Sequence, residues 1–244
     1  MGNGGDLSIR PEAPNSSGIS YPLVGPARPS SIPYSPFPIP RPLALPTANP
    51  DIISMTIHRI RLLGDPILRA RCEPITKPRS AAVRVILDDL KETLRDWQSR
   101  FGGGRAIAAP QIGAPVRIVY VEMEKPWPLI NPEIVDVGNE DFTVWDDCFS
   151  FPNLLVRVSR AHKIRVRYQD PKGDEHEVDL EGDRAELLQH EIDHLDGVLA
   201  VDRAHGPDPF CLREEWNRHY RNHGRYDEPE PRGMRDVHHE ESLL

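Results

Sequence analysis

Hydrophobic positions recur at regular periods between Met55 and about Ala204, and lose that regularity on either side. In residues 80–99, Val83, Ile86, Leu87, Leu90, Leu94 and Trp97 are separated by steps of three and four. That spacing lines one face of an amphipathic helix. Ser80 precedes it and suits the N-cap, because its hydroxyl can accept an orphan N–H of the first turn. Residues 116–123 read as a short apolar strand, and residues 129–137 and 142–150 as further strands. Residues 163–170 alternate Ile164, Val166 and Tyr168 with Lys163, Arg165 and Arg167. The turn residues Pro171-Lys172-Gly173-Asp174 then let residues 176–180 pair back as a hairpin. Asp183 opens a second helix, with Glu186 three residues on in a capping-box arrangement, and Gly197 suits its C-terminal end. A third helical segment is expected over residues 208–222, carrying Phe210, Leu212, Trp216 and Tyr220. A helix, several antiparallel strands and a helix in that order predict one α+β domain over residues 55–222.

The flanks read differently. Twelve of the 26 prolines fall in residues 1–50. A run such as Pro33, Pro36, Pro38, Pro40 and Pro42 lacks the N–H groups that a helix or sheet needs. Residues 1–54 are therefore expected to be a disordered, partly polyproline-like extension. Three origins stay open: a plain tail, a leader for an organelle, or an early start ahead of a true one at Met55. A secretory signal is disfavoured, because its apolar region is absent. Residues 223–244 read as a polar tail.

Composition narrows the function. The mean hydropathy of -0.52 comes with no apolar run near the ~18–20 residues of a membrane span, which argues against a membrane protein. A net charge of -8 argues against an extended nucleic-acid footprint, so no specific nucleic-acid partner is expected. Three cysteines (Cys72, Cys148 and Cys211) are too few for a disulfide framework and point to a reducing compartment.

The sharpest chemical signal is His190-Glu191-Ile192-Asp193-His194. Helical positions four apart share a face, so His190 and His194 can present two imidazole nitrogens to one cation. Glu191 is displaced round the helix but within reach of a water on that cation. Ala185, Leu188, Ile192 and Leu195 make the packing stripe of the same helix, with Leu187 flanking the metal face. A catalytic site needs a third ligand and an open position. Cys148, in a strand-like segment, is the candidate, although a lone cysteine is more commonly an ordinary buried side chain. The third feature is residues 102–113, a loop of small residues ending Pro110-Gln111-Ile112-Gly113, which another backbone could approach closely. No Lys-Ser/Thr follows it, so it is not a phosphate loop.

A small-residue loop ending in Gln, then a Cys strand, then Gln-His-Glu-x-Asp-His-Leu on a helix resembles the peptide deformylase family. The matching residues are 104–111, 146–150 and 189–195, within a looser likeness from about Ile57 to Asp202. The resemblance implies antiparallel β-sheets packed around the helix that carries the motif. It implies Cys148, His190 and His194 as ligands of one divalent ion, iron(II) in the family, with zinc, nickel or cobalt as substitutes. The implied reaction removes the formyl group from the formyl-methionine of new polypeptides. Glu191 would be the proton carrier, with the Gln111 amide and the Phe149 N–H stabilising the oxyanion. The N-formylated peptide would pair along residues 104–106. A bacterial cytoplasmic location is implied, and a transient ribosome contact is left open.

Three departures from the family's usual pattern stand out. Ala106 stands where a second glycine is usual, Arg105 where an aliphatic residue is usual, and Asp146-Asp147-Cys148-Phe149-Ser150 where Glu-Gly-Cys-Leu-Ser is usual. Gly104, Arg105, Ala106 and Asp147 are therefore expected to shape the substrate mouth. An Arg105–Asp147 pair would neutralise the carboxylate beside the metal, and the alternative is that both point to solvent. Another formylated or acylated substrate, or a peptide-binding role without catalysis, are the rival readings. The intact Glu191 weighs against a pure binder.

Overall fold

The computed structural model describes residues 56–221, Gly224 and the backbone of Glu230–Pro231. The chain divides into two units, Met1–Ile39 and Pro40–Leu244, and every described residue lies in the second. The expected disordered extension and the start at Met55 fall outside the described residues. So does most of the expected polar tail.

The first helix, α1 (Ala81–Phe101), forms as its periodicity predicts. The Ser80 hydroxyl accepts the Val83 N–H at 3.3 Å, and Leu87, Leu90 and Leu94 are buried along one face. Five strands make one antiparallel sheet: β1 (Ala106–Ala108), β2 (Ile118–Glu122), β3 (Pro126–Val137), β6 (Lys163–Gln169) and β7 (Glu175–Glu181), in the order β1-β2-β3-β6-β7. The expected hairpin is there, running from Lys163 opposite Glu181 to Gln169 opposite Glu175. A second antiparallel sheet has the order β8-β5-β4-β9: β8 (Phe210–Leu212), β5 (Leu154–Ala161), β4 (Glu140–Asp147) and β9 (Glu230–Pro231). Thus two residues of the expected polar tail pair with Glu140 and Asp141.

The second helix, α2 (Asp183–Leu195), packs against strands of both sheets. Its Ala185, Leu188, Ile192 and Leu195 join Val119, Val121, Leu129 and Val166 in one apolar cluster. Each leucine or isoleucine so buried contributes about 1.5–3 kcal/mol. The unusual feature of α2 is polar burial: Glu186, His190, Glu191, Asp193 and His194 are all below a tenth exposed. Burying such groups is costly unless they are paired or serve a site.

Three expectations are corrected. The helix α2 begins at Asp183 after Gly182, so Asp183 is not the N-cap, and Glu186 turns into the protein instead of closing a capping box. The segment expected as a third helix starts as strand β8, and only Arg213–His219 is helical (α3). Phe210 and Leu212, named within that expected helix, are 52% and 60% exposed. Strand β5 was not anticipated, because Arg157, Ser159 and Arg160 break its apolar run. Gly197 does follow the end of α2 with φ +75°, and a Cβ there would lie 2.6 Å from the Arg69 carbonyl oxygen.

Candidate metal centre and active-site cavity

Two elements bring the candidate ligands together. The helix α2 stacks His190 and His194 one turn apart, with ring centroids separated by 4.9 Å. Cys148 follows β4 directly, where the chain leaves the second sheet. Its Sγ lies 3.2 Å from His194 Nε2, and one donor atom from each of Cys148, His190 and His194 lies within 4.8 Å of the others. A tetrahedral centre with metal–sulfur and metal–nitrogen bonds of ~2.3 and ~2.0–2.1 Å needs sulfur and nitrogen roughly 3.5 Å apart. The three donors therefore fit one cation with small adjustments.

The remaining polar atoms agree. His190 Nδ1 faces the Asp146 carboxylate at 2.9–3.0 Å, which leaves Nε2 as the nitrogen available to a cation. Asp146 also accepts Arg160 Nη2 at 2.9 Å. Arg160 Nη1 donates to Asp193 at 2.5 Å, and Arg203 grips Asp193 with two further bonds of 2.5 and 2.6 Å. A line of alternating charge thus runs from His190 through Asp146, Arg160 and Asp193 to Arg203. Burial alone would push the Asp146 carboxyl up, but His190 and Arg160 outweigh it and hold it well below the usual carboxylate range. Burial and the neighbouring His190 pull His194 down, favouring its neutral ring, the form a cation would need. Burial also pulls His190 down, but Asp146 and the Cys148 sulfur outweigh it and raise it. A cation binding there displaces a proton.

Glu191 lies beside these ligands, almost fully buried, and its Oε2 has no hydrogen-bond partner. Burial raises its pKa to about 7. Gln111 is 2% exposed. Its side-chain oxygen accepts the Ala108 N–H at 2.9 Å, so its NH₂ turns toward Cys148 Sγ (3.6 Å) and the Ser150 hydroxyl (3.4 Å). The Phe149 ring stacks on Trp97 with centroids 4.4 Å apart.

These groups open into a cavity of about 650 Å³, which Gly104, Arg105, Ala106 and Asp147 also line. Gly104 has φ +121°, and a Cβ on it would lie 2.6 Å from the Phe149 ring. Ala106 raises no such difficulty. It pairs with Val121 inside β1, and positive φ at described non-glycine residues is confined to Asn131 and Asp208. The expected Arg105–Asp147 pair does not form. Arg105 instead donates to Glu186 at 2.7 Å and to the Asp183 carbonyl at 3.2 Å, while Asp147 pairs with Arg213 at 2.9 Å. Sequence reasoning missed Asp146, Arg160, Glu186 and Arg213. The available signals were an acid two residues before Cys148 and an arginine amid the apolar positions of β5.

Two imidazoles, a thiol and a buried carboxyl gathered beside this cavity are the donor set and proton carrier suited to a metal-dependent hydrolase. Residues 57–209 match the model of the Polypeptide deformylase family. The chain is 38% identical over 160 residues to the peptide deformylase of Thermotoga petrophila, covering 65% of this chain and 94% of that one. It is also 38% identical to that of Heliobacterium modesticaldum, over 64% of this chain and 99% of the other. Among solved structures, the peptide deformylase of Thermotoga maritima superposes with TM-score 0.58 at 36% identity, over 62% of this chain and 99% of its own. A Met-Ala-Ser-bound class I type b peptide deformylase from Acinetobacter baumannii gives 0.56 at 27% identity, over 61% and 99%. The chain belongs to the peptide deformylase family, hydrolases of the formyl amide bond.

Proposed function

We propose that this protein removes the formyl group from formyl-methionine at the start of new polypeptides, using Cys148, His190 and His194 to hold one divalent cation and Glu191 to move the proton. The observation that carries this reading is the meeting of three buried donor atoms within 4.8 Å beside a carboxyl that keeps one oxygen unpaired. When bound, the cation supplies Lewis acidity, which makes water a better nucleophile and polarises the formyl oxygen. Iron(II) is the ion this reading favours, with zinc, nickel or cobalt able to replace it, since all accept this mixed sulfur and nitrogen donor set.

The protein's own groups do the rest. Glu191, with its pKa near 7, accepts a proton from the attacking water and returns it to the departing amine. The Gln111 NH₂ is preset by the Ala108 N–H that fixes the other end of its amide, so it can donate to the developing oxyanion without reorganising. The Phe149 backbone N–H is the second donor, and each such donor is worth roughly 2.7–4 kcal/mol of barrier. The strand β1 is at the edge of its sheet, so the segment 104–106 has a side on which the substrate backbone can add as a further strand. That the Acinetobacter baumannii relative binds Met-Ala-Ser supports a peptide as the substrate. A formyl carbon bears only hydrogen, so a tight floor discriminates against acetylated ends.

This reading places the protein in the cytoplasm, in transient contact with ribosomes as their substrate emerges. Its described cysteines are all free thiols, in keeping with a reducing compartment, and no described helix is long and apolar enough to cross a membrane. Formate release from formyl-Met-Ala-Ser by the metal-loaded protein tests the proposal. The Glu191→Ala protein should be at least about 100-fold slower. Equal rates would remove Glu191 from the mechanism.

A further inference from the structure

Glu186 and His190 are four residues apart on α2, so they share a face about 5.4 Å apart along the axis. Both line the cavity. The substrate's first side chain is carried on Cα, two bonds from the formyl carbon, so with that carbon near His190 it lies within reach of Glu186. The surface it meets there is ionic. The Glu186 side chain is only 2% exposed, and Arg105, which keeps 29% of its side chain exposed, closes over it at 2.7 Å. Arg105 also reaches the Asp183 carbonyl, so its guanidinium ties the start of β1 to the first turn of α2. Elsewhere on the cavity wall the Asp147–Arg213 pair repeats the pattern. Four charges in two pairs give this part of the cavity strong hydrogen-bonding character, and the third acid near Arg105, the Asp183 carboxylate at 3.7 Å, is 61% exposed and so largely screened by water.

An apolar side chain lying on Arg105 displaces its water and returns no hydrogen bond. A carboxamide or hydroxyl replaces that water with a direct bond. Because Glu186 and Asp147 are each paired and Asp183 is largely solvated, an anion or a cation gains little net attraction. We propose that the Arg105–Glu186 pair is the specificity determinant for the substrate's first side chain, and that it extends the substrates from formyl-methionine to formylated peptides beginning with a neutral hydrogen-bonding residue. This rests on the deformylase reading above.

The test compares kcat/KM for formyl-Gln-Ala-Ser and formyl-norleucine-Ala-Ser, two first residues of similar length, in the wild type and in the Arg105→Leu/Glu186→Leu protein. The wild type should process the two within about tenfold of each other, and the double variant should favour norleucine by a further factor of about thirty or more. The Arg105→Gln/Glu186→Gln protein, which keeps shape and polarity, should retain the glutamine substrate. Calorimetric binding of the products Gln-Ala-Ser and norleucine-Ala-Ser to the zinc-loaded proteins should shift in the same direction. Formate from the norleucine peptide alone in the wild type, or an unchanged ratio in the double leucine variant, would overturn the proposal while leaving the deformylase reading standing. Formate from neither these peptides nor formyl-Met-Ala-Ser would overturn both.

Discussion

Replacing Arg160 with leucine removes the cation lying between two acids that are themselves out of water. The Arg160 side chain is 2% exposed, and those of its partners Asp146 and Asp193 are 1% and 11% exposed. Removing one member of a buried pair typically costs about 3–5 kcal/mol, mostly as the penalty of the stranded charge. Here the loss belongs at the lower end, since His190 still faces Asp146 and Arg203 still holds Asp193 by two bonds. A loss of about 3 kcal/mol in a domain of this size lowers Tm by about 6–12 °C. Asp146 also orients the His190 ring, so metal affinity should fall about 10–100-fold. Thermal unfolding followed by circular dichroism reads the first effect, and competition with a chelating dye reads the second. Arg218→Ala is the contrast: its partners are Glu214 and Glu215 on an exposed helix, and such pairs are worth about 0.3–0.5 kcal/mol. An Arg160→Leu protein that melts within 2 °C of wild type and binds metal equally well would refute the charge-line account, since ~2 °C corresponds to under about 1 kcal/mol.

Three further expectations follow from other parts of the fold. Gly104→Ala puts a Cβ at 2.6 Å from the Phe149 ring with φ at +121°, so urea unfolding should show a loss of about 1–3 kcal/mol, and an unchanged midpoint would contradict the geometry. Burial pushes the Cys72 thiol up to about 12, so iodoacetamide at a pH of ~8 should label the partly exposed Cys211 and spare Cys72 in the native protein; rapid labelling of Cys72 would show that its pocket opens. Burial raises the Asp202 carboxyl, but the Arg69 guanidinium and the Leu199 N–H outweigh it, so its folded pKa lies below the unfolded value. Its stabilisation is then full above about pH 4 and fades as pH falls through the folded value. The Asp202→Asn protein should be less stable than wild type near neutrality, with the gap closing under acid; a gap constant from neutral pH to about pH 3 would contradict this.

Wherever function and local periodicity share one element, the sequence shows both. The four-residue spacing of His190 and His194 already states that they share a helix face, whereas the small residues after α1 suggest room for another backbone and not the Phe149 ring that lies against Gly104. The 163–169 and 175–181 hairpin is legible because one of its faces is solvated and its pattern alternates cleanly. Legibility fails where charge is buried. Arg160 hides β5 from a hydrophobicity reading, because its partners Asp146 and Asp193 come from β4 and α2 and only the fold brings them together. The same holds for Glu186. Its position three residues after Asp183 imitates a capping box, whereas the folded chain gives it Arg105 from 81 residues away. Arg105 and Asp147 were both expected at the substrate mouth, and opposite charge suggested that they pair. Each instead has a partner from an element that sequence spacing does not connect, α2 for one and α3 for the other.

X-ray absorption at the metal edge of the zinc-loaded protein tests the central claim most directly. One sulfur scatterer at ~2.3 Å and two imidazole nitrogens at ~2.0–2.1 Å are the predicted result, with the sulfur lost in the Cys148→Ala protein. A zinc environment of nitrogen and oxygen alone in the wild type, or a sulfur contribution that survives Cys148→Ala, would contradict it.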